Sequence, residues 1–288
     1  MKITILGSGG FQTIPRPLCQ CKICKEAREK GTPYSRNGPS IYIHGADAII
    51  DTPKDIINSV NREDIKKIKN IFFTHWHPDH TEGMRIVEEA TAEHKGHELK
   101  NHGEPINFIA SPEVLKELNR LKSGSNKPYL DWYKYNNFIK EIKVEHNKSK
   151  TINKIKFIPA LLNKIKFMHT DAWLIQENKK KVLYMPCDVK PFNINPKYLE
   201  NLDLFMVNSP WTLARNAQKK FDAKHPIREE LFSMDEIIEL IEKHKIKKTI
   251  ITHIEEMWRL SYDDYKKLEE KYKKHNIKFA YDGMKIKV

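Results

Sequence analysis

Short apolar segments separated by polar turns recur along the chain and alternate with stretches that are apolar on one side only. Apolar runs rich in Ile, Val, Leu and Phe are typical of buried strands. They predict strands at residues 1–7, 41–44, 48–51, 71–73, 156–160, 171–176, 182–186, 204–208 and 249–253. Apolar residues spaced by three and four positions predict helices at 111–122, 234–243 and 262–274. Strands that alternate with helices in this way predict an α/β fold.

No repeat and no proline- or glycine-rich linker divides the chain, so we expect one domain over residues 1–288. The strand pattern weakens at about residues 90–150, where we expect an inserted helical and loop segment. Near the end of the chain, Asp282-Gly283 lies between two runs of strand-forming residues. This dipeptide is typical of a tight turn, and it predicts a β-hairpin.

The chain is strongly basic, with a formal net charge of +13 over 288 residues. A basic surface attracts phosphorylated molecules and other polyanions. The lysines are scattered, which favours a solvated surface over a continuous track for nucleic acid. No apolar run has the length of a membrane span, and the first residues resemble a strand and not a signal peptide. We therefore expect a cytoplasmic protein that does not bind membranes.

Four metal-ligand residues lie close together in the stretch Thr74-His75-Trp76-His77-Pro78-Asp79-His80, directly after a predicted strand. His75 and His77 are two residues apart, so in extended chain they face the same side. Pro78 ends the strand, and Asp79 and His80 follow in the turn before a helix. This spacing predicts ligands for two metal ions about 3.5–4 Å apart, as in two-metal hydrolases.

A second group of candidate ligands lies near the start of the chain. Cys19, Cys21 and Cys24 fall within six residues. In a reducing compartment such clustering favours a zinc ion over disulfides. A structural zinc needs four ligands, so the fourth must come from elsewhere in the chain. Three reduced structural thiols are the alternative interpretation.

The H-x-H-x-D-H stretch, a later strand-end Asp188 and a still later strand-end His253 resemble the signature of the metallo-β-lactamase superfamily. That resemblance implies a four-layer αβ/βα sandwich of two mixed β-sheets with helices outside. Three further features resemble one branch of this superfamily, the cyclic-phosphate phosphodiesterase of the carbon–phosphorus lyase pathway and its relatives. These features are the cysteine spacing, Thr252-His253-Ile254 and the segment 280–284.

The resemblance implies a role for each candidate residue. One ion would be held by His75, His77 and His169, and the other by Asp79, His80 and His253, with Asp188 as the bridge. Asp51 would support the ligand loop by hydrogen bonds. Asp79 and His225 would be catalytic, His225 by protonating the leaving group. The structural zinc would be held by Cys19, Cys21, Cys24 and Glu256.

Two positions depart from the pattern of this branch. A metal-ligand histidine is expected before the strand at 171–176, but that position is Lys164, and His169 is the nearby histidine. The fourth ligand of the cysteine zinc is a histidine in the branch, but Glu256 occupies that position.

The implied function is a metal-dependent hydrolase, a phosphodiesterase that cleaves a small cyclic phosphate or nucleotide-like ester with a hydroxide activated by two metal ions. The alternatives are a tRNA 3′-processing-like nuclease, a carboxylic ester or thioester hydrolase, and a non-catalytic metal-binding module. We expect two Zn or Mn ions in the active site, with Fe as an alternative, and one structural Zn. The expected partner is a small phosphorylated substrate, with nucleic acid and a second copy of the chain as alternatives.

Overall fold

The computed structural model describes residues 1–165 and 168–288, which form two large mixed β-sheets packed face to face with helices on both outer sides. The strands follow each other in this order: β1 (Lys2–Gly7), β2 (Ser40–Ile43), β3 (Ala48–Ile50), β4 (Asn70–Phe72), β5 (Glu93–Lys95), β6 (Glu98–Lys100), β7 (Ile106–Ala110), β8 (Ile139–Lys143), β9 (Lys150–Ile152), β10 (Ile155–Ile165), β11 (Met168–Glu177), β12 (Lys180–Met185), β13 (Leu204–Asn208), β14 (Thr249–Thr252), β15 (Ile277–Phe279) and β16 (Lys285–Lys287).

The helices lie mostly between strands. The α-helices are α1 (Lys22–Lys30), α2 (Ile56–Arg62), α3 (Pro78–Thr81), α4 (Ile86–Thr91), α5 (Pro112–Leu118), α6 (Tyr129–Tyr135), α7 (Ala217–Lys220), α8 (Ile227–Glu230), α9 (Met234–His244) and α10 (Tyr262–Lys271). Short 3-10 turns cover Glu82–Arg85, Pro196–Tyr198, Trp211–Leu213, Glu256–Trp258 and Lys273–His275. Helix α9 begins at a capping box, in which the side chains of Ser233 and Glu236 each accept a hydrogen bond from the other residue's backbone N–H.

Each sheet contains an antiparallel half and a parallel half. The first sheet has the strand order β16-β1-β2-β3-β4-β7-β8, and the second has the order β15-β14-β13-β12-β11-β10-β9. Strands β3, β4, β7 and β8 are parallel to one another, as are β12, β13, β14 and β15. The carboxyl ends of parallel strands meet at one edge, where α/β proteins commonly place their sites.

The central core lies between the two sheets. Phe72 of β4 packs against Phe157 of β10 and Trp173 of β11, with ring centroids 4.3 Å and 4.9 Å apart. Helices α2, α5 and α6 bury apolar side chains against the outer face of the first sheet, and α9 and α10 cover the second. This four-layer αβ/βα arrangement confirms the predicted fold class.

Two parts of the chain differ from the sequence prediction. The segment 90–150 contains helices and loops, but it also contributes β7 and β8 to the first sheet. The predicted hairpin at Asp282-Gly283 is wrong, because β15 pairs with β14 in the second sheet and β16 pairs with β1 in the first. The chain crosses from one sheet to the other at this turn. There the buried Asp282 carboxylate accepts hydrogen bonds from the backbone N–H groups of Ser8 and Asn37.

Over residues 1–165 and 168–288, no helix combines the length and the apolar character that crossing a membrane requires.

Candidate metal centre

Side chains with metal-ligand chemistry converge where the parallel strands of both sheets end. Strands β3 and β4 of the first sheet and β12 and β14 of the second have their carboxyl ends at this edge. Asp51 follows β3, the histidine stretch follows β4, Cys187-Asp188 follow β12, and His253 follows β14. Two groups of candidate ligands form here, one on each side of Cys187.

The first group consists of His75, His77, Cys187 and Asp188, whose ligand atoms all lie within 4.8 Å of one another. The Asp188 carboxylate Oδ2 is 3.7 Å from His75 Nε2 and 3.6 Å from His77 Nδ1. His75 is fully buried, and its Nε2 has no hydrogen-bond partner. A buried ring nitrogen without a partner is costly, and a metal ion would satisfy it.

The second group contains Asp79, His80 and His253. Their ligand atoms form a triangle, with His80 Nε2 and His253 Nε2 3.3 Å apart and each 3.4 Å from Asp79 Oδ2. Metal–ligand bonds of about 2.0–2.2 Å at tetrahedral angles separate two ligand atoms by about 3.4 Å. The triangle therefore has the dimensions of one face of a tetrahedral site, and the donor set fits a divalent ion.

Cys187 is the site residue that the sequence interpretation missed. Its sulfur belongs to both groups, lying within 4.8 Å of the ligand atoms of His75, His77 and Asp188 on one side and of His80 and His253 on the other. It lies 3.4 Å from Asp188 Oδ2. The available signal was its position directly before a strand-end aspartate. A single cysteine after an apolar strand is, however, also typical of a core residue.

Asp51 lies beneath the histidine loop and accepts three hydrogen bonds there. Its carboxylate oxygens accept from the Thr74 N–H and the Thr74 hydroxyl, each at 2.8 Å, and from His80 Nδ1 at 2.8 Å. The Thr74 hydroxyl in turn accepts from His75 Nδ1 at 2.9 Å. In their neutral forms both imidazoles thus carry their proton on Nδ1, which leaves the Nε2 lone pairs directed at the site.

The electrostatics favour a positive charge on His80 in the second group and the neutral form of His75 in the first group. Burial lowers the pKa of His80, but the carboxylates of Asp51 and Asp79 outweigh this and raise that pKa to about 10. Burial raises the pKa of Asp79, but His80 and His253 outweigh it and hold the pKa well below its usual range. Burial and the neighbouring His80 hold the pKa of His75 well below its usual value. Carboxylates that favour cationic neighbours suit bound cations equally well.

Three residues of the centre have left-handed backbone conformations. Asp51, Asp188 and His253 have φ values of 63°, 47° and 50°. This region costs energy for residues other than glycine, and such residues cluster at functional sites.

His169 is not among the residues that the structure brings together in the two groups. It lies on β11, and its Nδ1 is 2.7 Å from the Glu117 carboxylate on α5. Lys164, opposite His169 in the β10–β11 pair, is exposed. Among the described residues, the first group therefore lacks the third histidine that the resemblance implies.

His225 lies outside both groups, in the turn before α8. Its Nδ1 accepts a hydrogen bond from the Ile227 N–H at 3.2 Å, so its Nε2 carries the proton of the neutral ring. The end of α8 contacts the loop that follows Asp188, because the Lys190 N–H donates to the Glu230 carbonyl at 3.2 Å. Burial and the nearby Asp188 raise the pKa of Glu230, whereas the neighbouring His225 lowers it.

A cleft opens next to the second group. It has a volume of about 130 Å³, and its lining includes Phe11, Lys54, Pro78 and Asp79. Phe11 is 70% exposed, so its ring is available to a molecule in this cleft.

A separate group forms at the start of α1, where the sulfurs of Cys19, Cys21 and Cys24 surround Glu256. The distances from the sulfurs to Glu256 Oε1 are 3.7 Å, 3.4 Å and 3.4 Å. A tetrahedral zinc with Zn–S and Zn–O bonds of about 2.3 Å and 2.0–2.2 Å separates S from O by about 3.5 Å. Arg259 also contacts Glu256. The donor set and its dimensions fit a structural zinc.

The family model described as the beta-lactamase superfamily domain matches residues 47–254 of this chain. This range includes β3, β4, β12 and β14 with the residues that follow them. This chain belongs to the metallo-β-lactamase superfamily. That superfamily consists of metal-dependent hydrolases, in agreement with the two groups of candidate ligands at the strand ends.

Solved structures of this superfamily share the fold over the whole chain. A diphosphatase from the PhnP family is 22% identical, with a TM-score of 0.70 over 99% of this chain and 96% of its own. Zinc-bound PqqB from Methylobacterium extorquens is 14% identical, with a TM-score of 0.71 and full coverage of both chains. The short form of human tRNase Z is 13% identical, with a TM-score of 0.62 over 100% and 99% of the two chains. Among curated proteins, no sequence matches this chain.

Proposed function

We propose that this protein is a metal-dependent phosphodiesterase that acts on a small phosphate ester with two divalent ions. The observation that carries the proposal is the pair of adjacent ligand groups at the strand ends, each of which combines residues from both sheets. Each group combines imidazole and carboxylate donors at distances that fit a metal ion.

His75, His77 and Asp188 would hold one ion, and Asp79, His80 and His253 would hold the other. Asp188 is the candidate bridge. When bound, two such ions supply Lewis-acid activation of the ester and an activated water nucleophile. Asp51 keeps His75 and His80 in the tautomer that presents Nε2 to the ions.

Three observations favour a phosphate ester as substrate. The chain carries a net charge of +13, which attracts phosphorylated molecules. The small cleft beside Asp79 contains a cation, Lys54, and an exposed aromatic ring, Phe11. Two proteins with the same fold are described as a diphosphatase and a tRNase Z, and both of these names refer to phosphorus–oxygen chemistry.

His225 would protonate the leaving oxygen. Its turn precedes α8, whose last residue contacts the loop after Asp188, and this contact supports a role for His225 beside the first group. The Nδ1 atom accepts from Ile227, and this leaves an Nε2–H to donate.

Turnover of bis(p-nitrophenyl) phosphate and of 1,2- and 2′,3′-cyclic ribose phosphates, with added Mn²⁺ or Zn²⁺, tests the proposal. We expect hydrolysis by the wild type and loss of activity in Asp79→Ala, whereas the variant of an exposed histidine, His97→Ala, keeps the full rate. Metal analysis accompanies each assay. A wild-type protein that holds both ions but turns over no phosphodiester would contradict the proposal.

A tRNA 3′-processing nuclease is the second candidate, favoured by the positive charge and by the fold shared with tRNase Z. The scattered distribution of the lysines argues against it. Cleavage of a precursor tRNA with a 3′ trailer at a rate far above that of the cyclic phosphates would select this function.

The cysteine group would hold a third, structural zinc. Its thiols approach one carboxylate at distances that fit a tetrahedral site. Reduced thiols in this arrangement support the further proposal of a cytoplasmic location.

A further inference from the structure

Cys187 has no role in the proposed reaction, although its sulfur lies inside the centre. The side chain is 8% exposed, and the sulfur is within 4.8 Å of candidate ligand atoms from both groups. A structural core cysteine would be surrounded by apolar side chains. Here the neighbouring polar atoms are ring nitrogens of His77 and His253 and the carboxylate of Asp188.

The histidine and carboxylate ligands of the first group would leave one coordination position of a four-coordinate ion open. With His169 paired to Glu117, the ligands on this side are His75, His77 and Asp188. Zinc sites of this kind are commonly four-coordinate. Cys187 Sγ is 3.4 Å from Asp188 Oδ2, close to the separation of about 3.5 Å that zinc–sulfur and zinc–oxygen bonds at a tetrahedral angle produce.

We propose that Cys187 is a thiolate ligand of the metal centre and that its sulfur bridges the two ions. This inference rests on the two-ion centre of the proposed function. A bridging ligand must lie close to the ligand atoms of both ions, and the Cys187 sulfur lies close to those of both groups. The thiolate would take the position of the missing histidine in the first group and would also bind the second ion together with His80 and His253.

A bridging sulfur changes which metals the centre prefers. Thiolates bind zinc, cobalt and iron well, whereas manganese prefers oxygen ligands. A centre that contains Cys187 should therefore select zinc over manganese more strongly than the histidine and carboxylate ligands alone would.

Cobalt substitution tests the assignment, because a sulfur bound to Co²⁺ gives a near-ultraviolet charge-transfer band. Wild type, Cys187→Ser and Cys21→Ser are freed of metal, reloaded with Co²⁺ and checked for cobalt content and folding. Cys21 belongs to the other cysteine group, so its variant calibrates the intensity lost per sulfur. We expect Cys187→Ser to lose at least that intensity and its preference for Zn²⁺ over Mn²⁺ to fall by at least about tenfold.

An unchanged band in Cys187→Ser, with two cobalt ions bound at the histidine centre, would overturn the inference and leave the proposed function intact. Failure of the wild type to bind ions at that centre would overturn both. If Cys187→Ser does not fold, ¹¹³Cd NMR of the unaltered protein decides. A sulfur-shifted resonance besides that of the cysteine group supports the bridge, and resonances with only nitrogen and oxygen shifts contradict it.

Discussion

At the scale of single residues, the Asp51 carboxylate orients histidines on both sides of the centre. It accepts directly from His80 Nδ1 and, through the Thr74 hydroxyl, from His75 Nδ1. It is fully buried and bonds the loop backbone as well. The tautomer of two candidate ligands therefore depends on one side chain that is not itself a ligand.

Replacement of Asp51 by Asn should weaken metal binding by about 10–100-fold. The amide keeps the shape, but its NH₂ cannot accept a hydrogen bond, so the Thr74 N–H loses its partner if the NH₂ replaces Oδ1, and the Thr74 hydroxyl and His80 Nδ1 both lose theirs if it replaces Oδ2. Competition with a chromophoric zinc chelator measures the affinity. Asp47→Asn, just before the other end of β3, is the control and should bind as the wild type does. Equal affinities for both variants would show that Asp51 does not orient the ligands.

His225→Ala should separate proton donation from metal binding. We expect both ions and the fold to remain, since His225 belongs to neither ligand group. The kcat for a sugar-alkoxide leaving group should fall by roughly 10²–10⁴, whereas the loss on p-nitrophenolate should be much smaller. Lys224→Ala provides the control for disturbance of the turn. Equal losses on both substrates would exclude the acid role.

At the scale of elements, the helix α1 and the turn at Glu256–Trp258 are joined by the cysteine group. Cys21 is the N-cap of α1, and its sulfur accepts from the Cys24 N–H at 3.4 Å. A metal ion here would link the first loop of the chain to the segment directly after His253. The group thus supports the position of that histidine without contacting the centre.

Conversion of Cys19, Cys21 and Cys24 to Ser should remove one zinc per chain and leave the catalytic ions bound. We expect Tm to fall by at least about 5 °C, which corresponds to roughly 2 kcal/mol in a chain of this size. Plasma emission analysis of zinc and calorimetry measure the two effects. Retention of the full zinc content by the triple variant would exclude the structural zinc.

The strands could be predicted from sequence, and the candidate ligands that follow them could be located there, because both signals are local. Apolar runs predict strands, and His75, His77, Asp188 and His253 stand at or directly after the ends of such runs. The local sequence of a strand does not determine which other strand it pairs with in a sheet. The Asp282-Gly283 turn has the dipeptide of a hairpin, but the pairing of β15 and β16 with different sheets depends on distant segments. Cys187 was missed for the same reason, since the approach of its sulfur to His253 depends on two strands meeting.

At the scale of the whole molecule, the crossing between the sheets is held by a buried carboxylate. Asp282 accepts from the backbone and hydroxyl of Ser8 and from the Asn37 N–H, and it lies 3.3 Å from the Arg62 guanidinium. Burial outweighs these contacts and raises the pKa of Asp282 to about 6. The folded protein therefore binds this proton more readily than the unfolded chain does.

Asp282 should make the wild type gain stability as the pH falls from 7 to 5. A raised carboxyl pKa favours the folded state below that pKa and loses this contribution as the pH rises through it. Relative to Asp282→Asn, which does not titrate, the wild type should gain about 1 kcal/mol between these pH values. Urea unfolding of both proteins at pH 5 and pH 7 measures the difference. A parallel pH response of the two proteins would contradict the raised pKa.

The left-handed backbone at Asp51, Asp188 and His253 implies a conflict between function and stability at the strand ends that form the candidate centre. Each such residue costs of order 1–3 kcal/mol unless the surroundings compensate. A glycine at Asp188, which is half-buried, would relax the backbone there, so the metal-free protein would become harder to unfold as it lost a candidate ligand. Left-handed residues at three strand ends therefore indicate a local cost in stability at the edge where the candidate ligands meet.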